Sequence, residues 1–252
     1  MQSIDLNSDL GEGFGRYECG DDQAMLSIVT SANVACGGHA GDPEIMAATF
    51  RMAKERGVAV GAHPGFPDLW GFGRRRIPFT SGEVERLVAY QVGAAQALAT
   101  YSGHEITYVK PHGALANIAE SSRDVATALA RAVHAVDPSL IFLGIALSEQ
   151  LRAAADSGLK SVAEIYADRG YAEDGTLLPR GTTGALIDDP QAASLGVIQM
   201  VQNSAIITST GKHLPTEIGS VCVHGDSPGA VQTARAVRLE LERAGIRILA
   251  FS

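Results

Sequence analysis

Short β-rich runs alternate with longer helical patterns along the whole chain, and this alternation narrows the fold more than any other feature. The runs are SIDLNS (3–8), SANVAC (31–36), GVAVGAH (57–63), ITYVKPH (106–112), SLIFLG (139–144), SVAEIYA (161–167), SVCVHGD (220–226) and RILAF (247–251). Strands separated by helices pair in parallel through right-handed crossovers. A closed parallel β/α barrel commonly uses about 250 residues in one domain, and this chain has 252. No internal repeat, low-complexity tract or linker interrupts it, so residues 1–252 are expected to form a single barrel domain. Helix starts support the alternation. Asp42-Pro43-Glu44, Asp189-Pro190 and Ser227-Pro228 each put a capping side chain before a proline, and Thr80 with Glu83 fits a capping box.

Polar side chains cluster where the runs stop. Asn7, Asp9 and Glu12 follow the first run, His39 follows the second, and His63 ends the third. Lys110 and His112 end the fourth, Asp168 and Arg169 follow the sixth, and His224 and Asp226 end the seventh. In a barrel these positions meet on one rim, the carboxyl-terminal face where active sites lie. Taken singly, a histidine at a strand end is as readily a hydrogen-bonded structural residue, and Asp9 or Asp226 could cap the next turn or helix. Together they put a buried lysine among carboxylates and imidazoles, the setting in which pKa values shift toward general acid/base work. Asp9, Glu12, His39, His63, Lys110, His112, His224 and Asp226 are the candidate catalytic set. Asn7, Asp168 and Arg169 are candidates for holding substrate.

Composition excludes several classes. Hydrophobic residues make up 46% and charged residues 19%, ample for a core. The net charge of -8, with no long basic run, argues against nucleic acid as a partner. No apolar run approaches the roughly 18 residues of a membrane span, and acidic residues stand where a secretory leader needs a basic flank. A cytoplasmic location is expected. Cys19, Cys36 and Cys222 are odd in number and far apart, which suits free packing thiols better than a disulfide framework or a zinc ribbon.

Two stretches exceed ordinary connections, 64–79 and 168–189, both rich in Gly, Arg and aromatic residues. They read as lids over the rim or as plain surface insertions. Glycines in CGGHAGDP, HPGFP, KPHGAL and VHGDSPG allow backbone to approach a ligand, though turns alone would also use them. The sequence holds no G-x-x-x-x-G-K-[ST], and DLGEGFGR is not the dinucleotide fingerprint. A standard phosphate loop is absent.

DLNSDLGEGFG (5–15), ANVACGGHAGDP (32–43), GAHPGFPDLWGFGRR (61–75), VKPHGALAN (109–117), EIYADRGYAEDGTLLPRGTTGALI (164–187) and VCVHGDSPGAV (221–231) resemble, in order, the signature blocks of the LamB/YcsF family. The resemblance implies a seven-stranded barrel of the glycoside hydrolase/deacetylase type. It also implies ATP-dependent opening of the lactam of 5-oxo-L-proline to L-glutamate, carried out with partner subunits B and C, with Arg74 or Arg169 suited to pair with the carboxylate on the ring. Gly38 and Ala116 depart from the bulkier residues common in that family, and would enlarge or loosen the rim. Two other readings stay open. One is a metal-dependent deacetylase or hydrolase, with Asp9, His39 and His63 around a divalent ion. No two histidines stand at helical metal-pair spacing, so such ligands would come from separate strands. The other is a non-catalytic protein that binds a small acid for its partners.

Overall fold

The computed structural model describes residues 3–252. In chain order, β1 (Ser3–Leu10) and α1 (Asp22–Met25) lead to β2 (Ser31–Ala35), α2 (Pro43–Arg56), β3 (Ala59–His63) and α3 (Ser81–Tyr101). Then come β4 (Ile106–Val109), α4 (Gly113–Ser121), α5 (Arg123–Val136), β5 (Ile141–Ile145), α6 (Glu149–Asp156) and β6 (Ser161–Tyr166). The chain finishes with α7 (Pro190–Asn203), β7 (Ala205–Ile207), β8 (His213–Pro215), β9 (Ser220–Cys222), α8 (Ala230–Arg243) and β10 (Arg247–Ile248).

Strands β1 to β6 and β9 are all parallel and close on themselves, because β1 pairs with β2 on one side and with β9 on the other. This is the expected seven-stranded barrel. The eighth run of the sequence contributes only Arg247 and Ile248, which lie alongside Ser3 and Ile4. Strands β7 and β8 form a separate antiparallel hairpin that the sequence reading did not anticipate. Among the described residues no helix is long and apolar enough to cross a membrane.

Alternation along each strand sets the two faces of the wall. Leu6, Leu10, Val34, Val60, Phe142, Ile165 and Val221 pack with helix residues such as Phe50, Val88, Leu129, Val133, Val197 and Leu241 in one apolar layer. The other face carries Asp5, Asn7, Asp9, Asn33, Tyr108, Glu164 and Ser220, buried and hydrogen bonded across the lumen. Asn33 Nδ2 donates to Asn7 Oδ1 (2.7 Å) and Tyr108 to Asn33 Oδ1 (2.8 Å). Asn7 Nδ2 donates to Ser220 Oγ (2.7 Å) and to Glu164 Oε2 (3.3 Å). Buried polar groups need such partners, and here they bind the inside of the barrel together.

Helix entries follow their sequence chemistry with one exception. Asp42 and Asp189 cap α2 and α7, and Thr80 with Glu83 forms the capping box of α3. Ser227-Pro228 does not start a helix: α8 begins at Ala230 after Gly229, with no side-chain cap. The Ser227 carbonyl instead accepts from Ala230 N–H in a turn. Both long connections are irregular, and the second is braced by its own bridges, Arg169 with Leu186 and Tyr171 with Leu177.

Candidate active site

Parallel strands deliver their carboxyl ends to one rim, and Lys110, just past β4, reaches into its centre. Its Nζ donates to Asp9 Oδ1 (2.9 Å), Cys222 Sγ (3.0 Å) and Asn7 Oδ1 (3.3 Å), with Glu164 Oε2 at 3.4 Å. Burial alone would lower the Lys110 pKa, but the charges of Asp9, Cys222 and Glu164 outweigh it and hold the ammonium well above its ordinary value. Burial likewise pushes Asp9 up, yet His63 and Lys110 win and keep its carboxylate well below the usual range.

A second layer is made of three imidazoles and Glu12. His63 ends β3, and its Nε2 lies 3.0 Å from His112 Nδ1 and 3.3 Å from Asp9 Oδ2. His39 lies flat on His112, with ring centroids 3.5 Å apart, and its Nε2 contacts Glu12 Oε1 at 2.9 Å. Burial, reinforced by the neighbouring imidazoles, holds the pKa values of His39 and His112 well below normal. Burial also raises Glu12 well above normal, and the charges of Asp9 and Asp226 add to it. Gly73 makes this packing possible. Its φ of 63° suits glycine, and a Cβ there would come 2.6 Å from His39 Cβ and 2.9 Å from His112 Cδ2.

Above these layers lies a cavity of about 320 Å³, in the range of small-molecule sites, lined by Asp9, His63, Lys110, His112, Tyr166 and His224 below and by Arg74, Arg169 and Arg180 at the sides. Both long connections border it. The first supplies Arg74, and the second supplies Arg169, Leu177, Pro179 and Arg180. Arg74 pairs with Asp226 (2.7 Å), while Arg169 donates to the carbonyls of Ala185 (3.1 Å) and Leu178 (2.7 Å). His224 Nδ1 holds Asp168 at 2.8 Å and stacks on Tyr166.

Five of the eight candidate catalytic residues therefore face one cavity: Asp9, His63, Lys110, His112 and His224. His39 and Glu12 stand behind His112, and Asp226 faces an adjoining cavity of about 300 Å³ with Asp168. Asp226 is an ion-pair partner of Arg74 and caps no helix. Asn7 lies beneath Lys110, out of reach of a ligand in the cavity. Gly38 does not loosen the rim, because a Cβ there would lie 2.5 Å from Gln91 Oε1, whereas Ala116 does line the cavity. The sequence reading missed Glu164, Tyr166 and Arg180, and took Cys222 for packing alone. For the first two a signal existed: polar residues at every second position within strands or just past them, Asp5-Asn7-Asp9, Ser31-Asn33, Tyr108-Lys110, Glu164-Tyr166 and Ser220-Cys222.

Comparison with known proteins decides the family. A model of the LamB/YcsF family matches residues 4–252. The chain belongs to the LamB/YcsF family. Within it, a relative from Azorhizobium caulinodans, named as the A component of 5-oxoprolinase, is 66% identical over the full length of both chains. A lactam utilization protein from Thermus thermophilus superposes on this LamB/YcsF member with a TM-score of 0.93 at 40% identity, covering 99% of this chain and all of that one. A T48 deacetylase, 12% identical with a TM-score of 0.50 over 98% of this chain and 87% of that one, shares the barrel fold.

Proposed function

We propose that this chain is the A component of a cytoplasmic 5-oxoprolinase, which opens the lactam of 5-oxo-L-proline to L-glutamate with ATP and partner subunits B and C. The full-length similarity to a protein of that name supports this reading, as do three unpaired cysteines for the compartment. The observation that carries it is the composition of the cavity. Among the described residues Arg169 and Arg180 have no carboxylate partner, yet both face a floor of Asp9, Lys110, His63 and His112. Guanidiniums without a carboxylate partner, set beside acid/base groups, suit a small carboxylate whose other end must react.

In this reading a guanidinium of Arg180, Arg169 or Arg74 pairs with the substrate carboxylate and turns the lactam carbonyl toward Lys110. The Lys110 ammonium, held by Asp9, stabilises charge developing on that oxygen. The His63 and His112 imidazoles, whose facing nitrogens lie 3.0 Å apart, position the attacking water on the floor of the cavity, and His224 on the same floor, with its Nδ1 on Asp168, takes a proton from that water and passes one toward the ring nitrogen. A divalent ion held by neighbouring donors would add polarisation of the carbonyl or of water. Opening a resonance-stabilised ring that recloses easily requires coupling to ATP, and the sequence has no phosphate loop of its own, so nucleotide handling is assigned to the assembly with the B and C partners. The deacetylase alternative rests on fold likeness at 12% identity and on the metal-ligating side chains of the floor, against 66% identity to the oxoprolinase relative.

Reconstitution tests this reading. The isolated chain is expected to leave 5-oxoproline intact, whereas the complex with both partners and ATP should consume ATP and release glutamate together. Ring opening by the isolated chain without ATP, or ATP consumption that never yields glutamate, would overturn it.

A further inference from the structure

The rings of His63 and His112 are each tethered on one side by the backbone. His63 Nδ1 lies 2.7 Å from the carbonyl oxygen of Lys110, and His112 Nε2 lies 2.8 Å from that of Phe72. A carbonyl only accepts, so each of these nitrogens carries the hydrogen, and in a neutral ring the opposite nitrogen is a bare lone pair. Those two lone pairs, His63 Nε2 and His112 Nδ1, face each other at 3.0 Å. More acceptors surround them. Glu12 Oε1 is 3.4 Å from His112 Nδ1, and Asp9 Oδ2 is 3.3 Å from His63 Nε2. All four side chains are buried. Acceptors gathered out of water in this way need a proton or a metal ion between them.

A shared proton would satisfy the contact between the two imidazoles. It would not draw in Glu12, whose Oε1 stands 3.4 Å from the same His112 Nδ1. A metal ion serves all three donors at once. Metal-bound histidines also typically donate their other ring N–H to a backbone carbonyl or a carboxylate, which fixes tautomer and direction, and both rings here are held that way. Two histidines and a glutamate form a known ligand set for catalytic zinc, with the fourth position left open. His63 and His112 line the cavity, so the open side would face it. Zinc–nitrogen bonds of about 2.1 Å at a tetrahedral angle place donors about 3.4 Å apart. The Glu12 to His112 separation already has this value.

We infer that Glu12, His63 and His112 form a binding site for one first-row divalent metal ion, with His39 orienting Glu12. His39 cannot share the ion with His112 in good geometry. The two rings are parallel within 3° and 3.5 Å apart, so an ion in the plane of one lies a stacking distance outside the plane of the other. Its contact with Glu12 at 2.9 Å gives it the orienting role instead. A second group of donors, Asp9, Cys222 and His224, also converges within 4.8 Å. The Lys110 ammonium already sits there, 2.9 Å from Asp9 and 3.0 Å from Cys222, and supplies the positive charge.

None of these distances depends on the lactam reading, and the test needs neither substrate nor partner. Full-length protein purified without a histidine tag is stripped with a chelator and titrated with Zn²⁺ by calorimetry and with Co²⁺ by visible absorption. About one equivalent is expected to bind, with Co²⁺ bands of low coordination number. His63→Ala and His112→Phe should weaken binding by about a hundredfold or more, while Cys222→Ser and His224→Ala should retain it. The phenyl ring of His112→Phe keeps the stacking on His39, so a folded variant, checked by circular dichroism, remains available. Binding that survives in folded His112→Phe would overturn the inference, as would its loss in Cys222→Ser. So would wild-type protein that takes up less than about a tenth of an equivalent and shows a proton shared by His63 and His112 in nitrogen NMR.

Discussion

Lys110 Nζ meets Asp9 Oδ1 at 2.9 Å in the middle of the barrel, and neither side chain reaches bulk solvent. Removing one member of a buried ion pair strands the other, at a cost of about 3–5 kcal/mol. Lys110→Met should lower the melting temperature and abolish glutamate release in the reconstituted complex. The double variant Asp9→Asn with Lys110→Met removes both charges, and is expected to regain much of the stability but none of the turnover. Denaturant melts and a glutamate assay separate the two effects. Wild-type turnover in either variant would refute the role given to Lys110.

Arg180 is exposed on the second long connection and borders both the main cavity and its neighbour. Partial burial, together with the charges of Arg74 and Arg169, lowers its pKa, the mark of a guanidinium set among other cations. Arg180→Ala should change stability by no more than about 0.5 kcal/mol and raise KM for 5-oxoproline about tenfold or more, with kcat little altered, since uniform binding is lost. Steady-state kinetics of the complex would show it. An unchanged KM would remove Arg180 from substrate binding.

Glu120, near the end of α4, accepts a hydrogen bond from Leu177 N–H (3.0 Å) and so ties the second long connection to the barrel. Burial pushes its carboxyl up to about 7 from the ordinary 4.5. Between those two values the folded chain holds a proton that the unfolded chain has released. Stability therefore falls as pH rises through this window, and the penalty is complete above it. Glu120→Gln keeps the accepting oxygen without the charge. It should flatten the decline in melting temperature between about pH 5 and pH 8, and at the upper end gain on the order of 2–3 kcal/mol. Asp5, raised to about 6 mainly by burial, acts in the same direction, so some slope should persist. A variant whose pH profile matches wild type would show that Glu120 is not the group responsible.

The barrel was legible because its signals are repetitive: parallel strands announce themselves by the helices between them, and Asp42, Thr80 and Asp189 mark where helices begin. The hairpin of β7 and β8 was not, since three-residue strands with a polar connection carry too little periodicity. Strand-end residues such as His63, Lys110 and His224 were readable from parallel topology alone. How far each projects was not readable. His39 and Glu12 lie behind His112 because ring stacking and the close approach of Gly73 decide depth, and sequence order does not encode that. Arg180 escaped notice because an irregular connection of this length carries no periodicity from which to place its side chains.

The hydrogen bonds that cross the lumen join residues far apart in the chain, Asn7 with Glu164 and Tyr108 with Asn33. Substitutions within such a network should not add independently. Any one of them orphans a partner on another strand, so a lone change inside the barrel should cost more stability than a matched pair of changes. The side chains of Arg74 and Arg180, on the two long loops, stand outside that network. Natural variants with altered ligand preference should therefore differ in those loops while leaving the Asn7, Asn33, Tyr108 and Glu164 set intact, and a laboratory search for new specificity would do well to randomise the same segments.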